Sequence, residues 1–243
     1  MTARIHLIGG GWQSAEVYAP FLGDAGPAAR IGCVLVDEGN ADEQFVRCAE
    51  RLTQVGPCVP VALTVPLGGR FDPAALDDVD ALLVCGGLTP AYQEALVCCA
   101  DAVRRTLTER AMPYAGFSAG AAVAAATAVV GGWLDAGVPV CPDDIAEDLD
   151  EVAARDGLGL VPFSVDVHAA QWGTLPRLIS AVGSGRAPFG VALDEDALVT
   201  CTAGEPVRVS GAGRAHMVRR GRDGGVEVRS WAAGQSFRVG QPG

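Results

Sequence analysis

Short apolar segments alternate with helix-like stretches along the chain up to Val167. The stretches between the apolar segments repeat apolar residues at i, i+3 and i+4, most clearly at 43–52 and 91–107. Continuous apolar strands that alternate with helices are typical of a mostly parallel sheet with helices on both faces, which is an α/β fold. The predicted strands of this part are 4–8, 31–36, 59–65, 81–84, 114–117 and 159–167.

The pattern changes at about residue 187, where the segments become short and alternating and are separated by glycine-rich turns. This pattern predicts antiparallel strands. The sequence has no internal repeat and no low-complexity linker, so we expect residues 1–243 to form one domain with 187–243 as its antiparallel β extension. The predicted strands are 190–193, 197–200, 206–210, 216–219, 226–231 and 236–239.

The charge composition limits both partners and chemistry. The chain has a formal net charge of −11, and all 18 of its basic residues are arginine. We expect no nucleic-acid partner, because binding to phosphates needs a basic surface. Since the chain contains no lysine, neither a Ser-Lys dyad nor a Schiff base is available to it.

The N-terminus runs from Met-Thr-Ala-Arg directly into the first predicted strand, without the apolar segment and cleavage site of a secretory signal. No apolar run reaches the ~18 residues that a membrane span needs. The eight cysteines form no C-x-x-C pair and the three histidines are scattered, so we expect no metal site and no cofactor. These features predict a cytoplasmic protein without a membrane partner, and a homodimer is compatible with them.

The segment Gly116-Phe117-Ser118-Ala119-Gly120 matches the pattern G-x-S-x-G. It follows a predicted strand and precedes a run of small residues, 119–130, that we predict to be a helix. This order is typical of a nucleophile elbow, a tight turn that holds a serine at the carboxyl end of a strand. The N–H group of Ala119, at the helix N-terminus, would face a developing oxyanion. The alternative is a glycine-rich turn with an incidental serine.

A nucleophilic serine needs a general base, and the chain offers His6, His168 and His216. We interpret His6, which lies within the first predicted strand, as structural. His168 follows the predicted strand 159–167, which would place it at the same edge of the parallel sheet as Ser118. His216 lies in the antiparallel region. We therefore favour His168 as the base and keep His216 as the alternative.

Two further glycine runs follow predicted strands. The segment Cys85-Gly86-Gly87-Leu88-Thr89-Pro90 would supply a second oxyanion donor, or it is an ordinary turn from strand to helix. The run Gly9-Gly10-Gly11 does not match G-x-G-x-x-G and lacks a well-placed acidic residue about twenty positions later, so a nucleotide site is only weakly supported.

Taken together, five segments of the chain resemble the dipeptidase E and cyanophycinase family of serine peptidases, whose fold is flavodoxin-like and similar to that of class I glutamine amidotransferases. The segment around His168 is most similar to the cyanophycinase branch, where Asp-x-His-x-x-Gln-x-Gly and a later Arg-Leu recur. The five segments are the opening strand with Gly9-Gly10-Gly11, then 84–89, 116–121, 166–173 with Arg177-Leu178, and 190–195.

The resemblance implies Ser118 as the nucleophile, His168 as the base, and an oxyanion hole formed by the N–H groups of Ala119 and of Gly87 or its neighbour. In this family the third catalytic residue is an acid that follows the serine by about fifteen to eighteen positions, and Asp135 occupies that position. The alternatives for this carboxylate are Asp143, Asp144 and Asp166.

Gly86, Thr89, Gln171 and Trp172 are the candidate substrate-binding residues. The chain also departs from the family. Leu88 follows the Gly-Gly pair where an Asp or Asn is usual, and Trp172 and Thr174 stand where the cyanophycinase branch often has arginines. Because such arginines suit substrates with carboxylates, their loss weakens the prediction of an acidic substrate.

Three functions remain open on this evidence. The first is a serine exopeptidase or dipeptidase that hydrolyses a small peptide or amide through an acyl-enzyme at Ser118. The second is an esterase of the α/β-hydrolase type, with His216 and either Asp194 or Asp196. The third is a non-catalytic binding module on the same fold. The acidic segment 143–156 is predicted to be a surface helix or an active-site loop.

Overall fold

The computed structural model describes residues 3–239, which contain six α-helices and sixteen strands. The helices are Ala19–Ala25 (α1), Ala41–Val55 (α2), Thr89–Val97 (α3), Ala100–Glu109 (α4), Ala119–Val123 (α5) and Leu175–Gly183 (α6). The strands are Ile5–Ile8 (β1), Arg30–Asp37 (β2), Val59–Pro66 (β3), Ala81–Val84 (β4), Tyr114–Phe117 (β5), Thr127–Gly131 (β6), Leu134–Asp135 (β7), Val138–Pro139 (β8), Ala153–Asp156 (β9), Ser164–Asp166 (β10), Phe189–Leu193 (β11), Ala197–Cys201 (β12), Val207–Gly211 (β13), Ala215–Arg220 (β14), Val226–Trp231 (β15) and Ser236–Phe237 (β16).

The central sheet has eight strands in the order β16-β13-β12-β1-β5-β4-β2-β3. The five strands from β1 to β3 in this order are parallel, and β12, β13 and β16 continue the sheet antiparallel. The fold is therefore mixed α/β with a largely parallel central sheet, which confirms the prediction for this part of the chain.

Helices cover both faces of this sheet. Alternate residues of β2 enter two separate apolar clusters, Val34 and Val36 on one face and Cys33 and Leu35 on the other. This alternation is the period of two that a strand imposes on its side chains. Residues of α3 and α4 complete the first cluster, and residues of α1 and α2 complete the second. No helix within residues 3–239 has the length and apolar character needed to cross a membrane.

A second sheet of four strands has the order β10-β11-β14-β15, with β10 and β11 parallel and the other pairs antiparallel. Helix α6 packs against β11 and β14 of this sheet. The strands after residue 187 therefore divide between two sheets, because β12, β13 and β16 join the central sheet while β11, β14 and β15 build the second one.

Three predicted elements are wrong in their extent. The predicted helix 119–130 ends at Val123, and 127–131 form β6, as expected for a segment with the β-branched residues Thr127, Val129 and Val130. The predicted helix 91–107 is two helices, interrupted at Cys98 and Cys99. Of the predicted strand 159–167, only Ser164–Asp166 belongs to a sheet. Val161 forms an isolated bridge with Ala125, and Pro162, which lacks the N–H group that a ladder needs, interrupts the pairing.

Candidate active site

Ser118 lies in a sharp turn between β5 and α5. Its backbone has φ 51° and ψ −113°, a conformation that few residues other than glycine adopt. A Cβ atom on Gly116 would lie 2.3 Å from the carbonyl oxygen of Gly120, and one on Gly120 would lie 2.0 Å from that of Val84. Both glycines of the G-x-S-x-G pattern are therefore required by close backbone packing in this turn between strand and helix.

His168 meets Ser118 from the second sheet. The distance from Ser118 Oγ to His168 Nε2 is 2.8 Å, and the imidazole is only 7% exposed. His168 follows β10, which lies in the four-stranded sheet, so the expectation that it shares a sheet edge with Ser118 is wrong. The backbone of His168 has a positive φ of 56°, and its N–H group donates a hydrogen bond to the carbonyl oxygen of Gly9.

The carboxylate beside His168 belongs to Glu195. The distance between His168 Nδ1 and Glu195 Oε1 is 2.8 Å. Glu195 lies in the turn between β11 and β12, and its backbone N–H group donates to Oε1 of Gln171 at 2.9 Å. Glu195 is the last residue of the fifth segment that carries the resemblance, but its distance from Ser118 in the sequence concealed its position beside the histidine.

Asp135 is wrong as the partner of His168. It lies in β7, where its carboxylate accepts hydrogen bonds from Ser180 Oγ at 2.6 Å and Arg186 Nη1 at 2.7 Å. The hydrogen bond from Ser180, followed by that from Arg186, lowers the pKa of Asp135. A carboxylate held in this way stabilises the contact between β7 and α6 rather than the imidazole.

The three alternatives to Asp135 do not contact the imidazole either. Asp166 is buried and forms a two-pronged ion pair with Arg177, at 2.7 and 2.9 Å. Arg177 also donates to the carbonyl oxygen of Ile145, so this pair joins β10, α6 and the segment after residue 142. Asp143 and Asp144 begin a short 3-10 helix at the wall of the cleft.

The run Gly9-Gly10-Gly11 brings the histidine and the glutamate against the end of β1. A Cβ atom on Gly10 would lie 2.0 Å from Cε1 of His168, and one on Gly9 would lie 2.1 Å from the carbonyl oxygen of Asp194. The carbonyl oxygen of Gly10 accepts a hydrogen bond from the N–H group of Asp196 at 2.8 Å. This close packing explains why the three positions are glycine without a nucleotide site.

Burial favours the neutral form of the His168 imidazole. Burial lowers the pKa of His168, and the hydrogen bond to Glu195 opposes this effect only in part. The indole of Trp172 contributes to the burial, because it stacks on the imidazole with ring centroids 3.7 Å apart and an interplanar angle of 5°. A neutral ring beside a carboxylate carries its proton on Nδ1, which leaves Nε2 free to accept the proton of Ser118 Oγ.

Two backbone segments border Ser118 where an oxyanion would form. Ala119 is the first residue of α5, so its N–H group has no acceptor within the helix. A Cβ atom on Gly86 would lie 3.0 Å from Cβ of Ser118, so the Gly86-Gly87 pair passes directly beside the serine. The roles of Ala119 and Gly87 as oxyanion donors therefore stay predictions.

Ser118 and His168 line an open cleft of about 800 Å³. Gly86, Leu88 and Trp172 line it, as does the segment 143–150. That segment contains no α-helix, in agreement with the active-site-loop alternative for the acidic region. Within residues 3–239, no group of histidine, cysteine, aspartate and glutamate residues has the arrangement of a metal site.

Two of the four candidate substrate-binding residues make internal contacts instead. Thr89 is buried, and its N–H and hydroxyl groups both donate to the carboxylate of Glu147, at 2.8 and 3.1 Å. The side chain of Gln171 is engaged with the backbone of Glu195. The hydroxyl group of Thr174 donates a hydrogen bond to the carbonyl oxygen of Val167.

The other two histidines contact groups away from Ser118. His6 is buried in β1 and contacts Thr200 at 3.1 Å and Asp24 at 2.9 Å, as a structural histidine does. His216 contacts Ser230 at 2.7 Å and Asp194 at 3.1 Å. The pairing of His216 with Asp194 required by the esterase alternative thus exists, but the histidine in contact with Ser118 is His168.

No protein-family model and no curated protein matches this sequence. Among solved structures, a peptidase from an acI-B1 Actinobacterium matches over 98% of this chain and 97% of its own, with a TM-score of 0.72 and 14% identity. A "Putative Peptidase E Protein" from Listeria monocytogenes EGD-e matches over 87% of this chain and 99% of its own, with a TM-score of 0.57 and 12% identity. At these identities the likeness shows that the chain has a peptidase-like fold.

Proposed function

We propose that the protein is a serine peptidase of the dipeptidase E and cyanophycinase type, which hydrolyses a small peptide or amide through an acyl-enzyme. The observation that carries the proposal is the continuous hydrogen-bonded series from Ser118 through His168 to Glu195, with both distances at 2.8 Å. A nucleophile, a base and a carboxylate that orients the base are the three groups that acyl transfer to a serine needs.

In the proposed acylation, Ser118 Oγ attacks the scissile carbonyl carbon and its proton moves to His168 Nε2. The imidazolium formed keeps its Nδ1 proton in the hydrogen bond to Glu195, whose negative charge stabilises it. The oxyanion of the tetrahedral intermediate accepts hydrogen bonds from the N–H groups of Ala119 and Gly87. When the intermediate collapses, the C–N bond breaks and the leaving amine takes the proton from Nε2.

Deacylation repeats these steps with water as the nucleophile. Nε2 takes a proton from the water as its oxygen attacks the ester carbonyl of the acyl-enzyme. The same proton then returns to Ser118 Oγ as the acid product leaves. The depressed pKa of His168 suits this role, because the ring must be neutral at the start of each half-reaction.

The likeness to peptidase structures supports a peptide or amide, rather than an ester, as the substrate. The cleft supports a small one, since a volume of about 800 Å³ accommodates a few residues. In this proposal Trp172 and Gly86 contact the substrate, whereas Gln171 and Thr89 act through Glu195 and Glu147.

Labelling with a fluorophosphonate probe, read by intact mass, tests the proposal. The wild-type protein should gain one adduct, and Ser118→Ala should gain none. His168→Ala should also abolish labelling, while His216→Ala, which removes a histidine of similar burial, is the matched control and should still label. Labelling that requires His216 instead of His168 would favour the esterase, and a folded wild-type protein that fails both to label and to hydrolyse short peptides would favour the binding module.

A further inference from the structure

Three of the chain's eight cysteines are buried together in the apolar cluster between the central sheet and α2. Cys33 belongs to β2, Cys48 belongs to α2, and Cys85 directly follows β4. The thiol of Cys85 donates a hydrogen bond to that of Cys48, with the two sulfur atoms 3.8 Å apart. Buried cysteines are commonly packing residues, but two thiols in direct contact can be joined by oxidation.

Cys48 and Cys85 differ from ordinary packing residues because both line the cleft that contains Ser118. Tyr18 lines the same part of the cleft, and its buried hydroxyl has no hydrogen-bond partner within residues 3–239. Burial, followed by the nearby Cys48 and Cys85 thiols, raises the pKa of Tyr18, so this hydroxyl stays protonated beside the thiols. A buried polar group without a partner is costly, and a small polar molecule that enters from the cleft would satisfy it. A peroxide is small and polar enough to do so.

The surroundings of the pair give the two thiols different reactivity. Hydrogen bonds from Cys33 and Cys85 hold the pKa of the Cys48 thiol well below its usual range. The same hydrogen bond to Cys48, followed by burial, raises the pKa of Cys85. The thiolate is the form of cysteine that attacks an oxidant. Cys48 is therefore the thiol that reacts first, and Cys85 is the neighbour that can resolve its oxidised form.

Cys85 connects this pair to the turn at Ser118. Its carbonyl oxygen accepts a hydrogen bond of 3.0 Å from the N–H group of Gly120, and it directly precedes the Gly86-Gly87 pair beside the serine. A disulfide requires the two sulfur atoms to approach from 3.8 Å to about 2.05 Å. Either Cys85 moves together with these segments, or Cys48 moves together with α2, which forms part of the cleft wall.

We propose that Cys48 and Cys85 form a peroxide-sensitive dithiol whose oxidation to a disulfide inactivates the site at Ser118. The Cys48 thiolate attacks one oxygen of hydrogen peroxide, the O–O bond breaks, and the hydroxide released takes up the former thiol proton as water. The sulfur of Cys85 then attacks the sulfenic acid of Cys48. The S–S bond forms, the S–O bond breaks, and the departing hydroxide takes the Cys85 proton. Two thiols are oxidised, and one peroxide is reduced to two waters.

Oxidation of the full chain by hydrogen peroxide tests the inference. The loss of activity rests on the proposed function, whereas formation of the disulfide does not. After reduction and removal of the reductant, increasing peroxide should link Cys48 to Cys85 in non-reducing peptide mapping. The rate constant of fluorophosphonate labelling should fall about tenfold or more as the disulfide forms, since a misplacement of about 1 Å can cost about 10²-fold. Dithiothreitol should restore the rate.

Two variants separate the steps, each compared with its own reduced sample. Cys48→Ala should keep its labelling rate through the same treatment. Cys85→Ala should stop at the sulfenic acid of Cys48, which dimedone traps as an adduct. Cys58→Ala is the matched control, because Cys58 packs against the same apolar cluster but lies outside the cleft lining, and it should lose labelling as wild type does.

Two sets of results would overturn the inference. A disulfide between Cys48 and Cys33, or none between Cys48 and Cys85 at peroxide concentrations that oxidise the exposed Cys98, would contradict the dithiol. A Cys48–Cys85 disulfide that leaves labelling unchanged, or an equal loss of labelling in Cys48→Ala, would contradict the inactivation. If the reduced wild-type protein never labels, the proposed function fails, and the peptide mapping still decides whether the dithiol exists.

Discussion

Replacement of Glu195 by glutamine tests whether Glu195 or Asp135 is the carboxylate that assists His168. The substitution retains the size of the side chain but removes the negative charge beside His168 Nδ1. The glutamine also presents an amide N–H group to His168 Nδ1, whose own proton needs an acceptor. This contact favours the tautomer with its proton on Nε2, which cannot accept the proton of Ser118. Glu195→Gln should therefore slow every step in which His168 takes a proton from an oxygen.

The geometry gives the size of the effect. The nearest atoms of the two groups are 2.8 Å apart, and the side chains of His168 and Glu195 are 7% and 20% exposed. Charge centres about 4 Å apart attract by about 4 kcal/mol at an effective dielectric constant of about 20. At 1.36 kcal/mol for each factor of ten, loss of this attraction slows the reaction about 10³-fold. The tautomer effect increases the loss toward about 10⁴-fold, the size known for an equivalent substitution in a serine protease.

The assay is the second-order rate constant of fluorophosphonate labelling, since it needs no knowledge of the substrate. Asp135→Asn is the matched control, because Asp135 contacts Ser180 and Arg186 instead of the imidazole, and it should label within about threefold of wild type. The acid limb of the pH profile gives an independent readout. Because Glu195 raises the pKa of His168 against the effect of burial, Glu195→Gln should move this limb to lower pH. A labelling rate for Glu195→Gln within tenfold of wild type, or a larger loss with Asp135→Asn, would refute the assignment.

Three other substitutions test the surroundings of the site. Gly10→Ala should abolish labelling and lower the free energy of unfolding by at least 1–2 kcal/mol in urea titrations, because φ is +95° and the new Cβ would overlap the ring of His168. Asp166→Asn should cost about 3–5 kcal/mol in the same titration, since it leaves the buried Arg177 without its carboxylate; a loss below 1 kcal/mol would contradict this. Trp172→Ala should move the acid limb of labelling to higher pH, because burial is the main cause of the low pKa of His168 and the indole covers that ring; a limb that stays in place would show that the stack does not contribute.

The parallel part of the fold was predictable because its signal is local. Five continuous apolar segments correspond to β1 to β5. In β1, β2, β4 and β5 the reason is burial, since a strand covered on both faces needs apolar side chains at nearly every position, whereas β3 lies at the sheet edge and is largely exposed or half-buried. The assignment of β10 to a separate sheet was not predictable in this way. Its three residues pair with β11, more than twenty positions later, and no local pattern records which sheet a strand joins.

Ser118 and His168 were predictable for different reasons. The turn at Ser118 spans five consecutive residues, so its requirement for Gly116 and Gly120 is visible in the sequence pattern itself. His168 was selected from only three histidines and by family resemblance, although the sheet argument used for it was wrong. The prediction of Asp135 was wrong, and Glu195 was not among its alternatives, because sequence distance from the serine says nothing about which turn approaches the imidazole.

The contacts of Gly9-Gly10-Gly11 explain how segments so far apart in sequence form one site. The backbone of β1 ends between the elbow and the second sheet, and the N–H group of Ser118 donates to the carbonyl oxygen of Ile8. One residue later, the carbonyl oxygen of Gly9 accepts from His168, and that of Gly10 accepts from Asp196, which follows Glu195. Three consecutive carbonyl groups thus fix in turn the segments that carry Ser118, His168 and Glu195. Since side chains at Gly9, Gly10 and Gly11 would collide with the segments of His168 and Glu195, the glycine run is the sequence feature that lets Ser118, His168 and Glu195 come together.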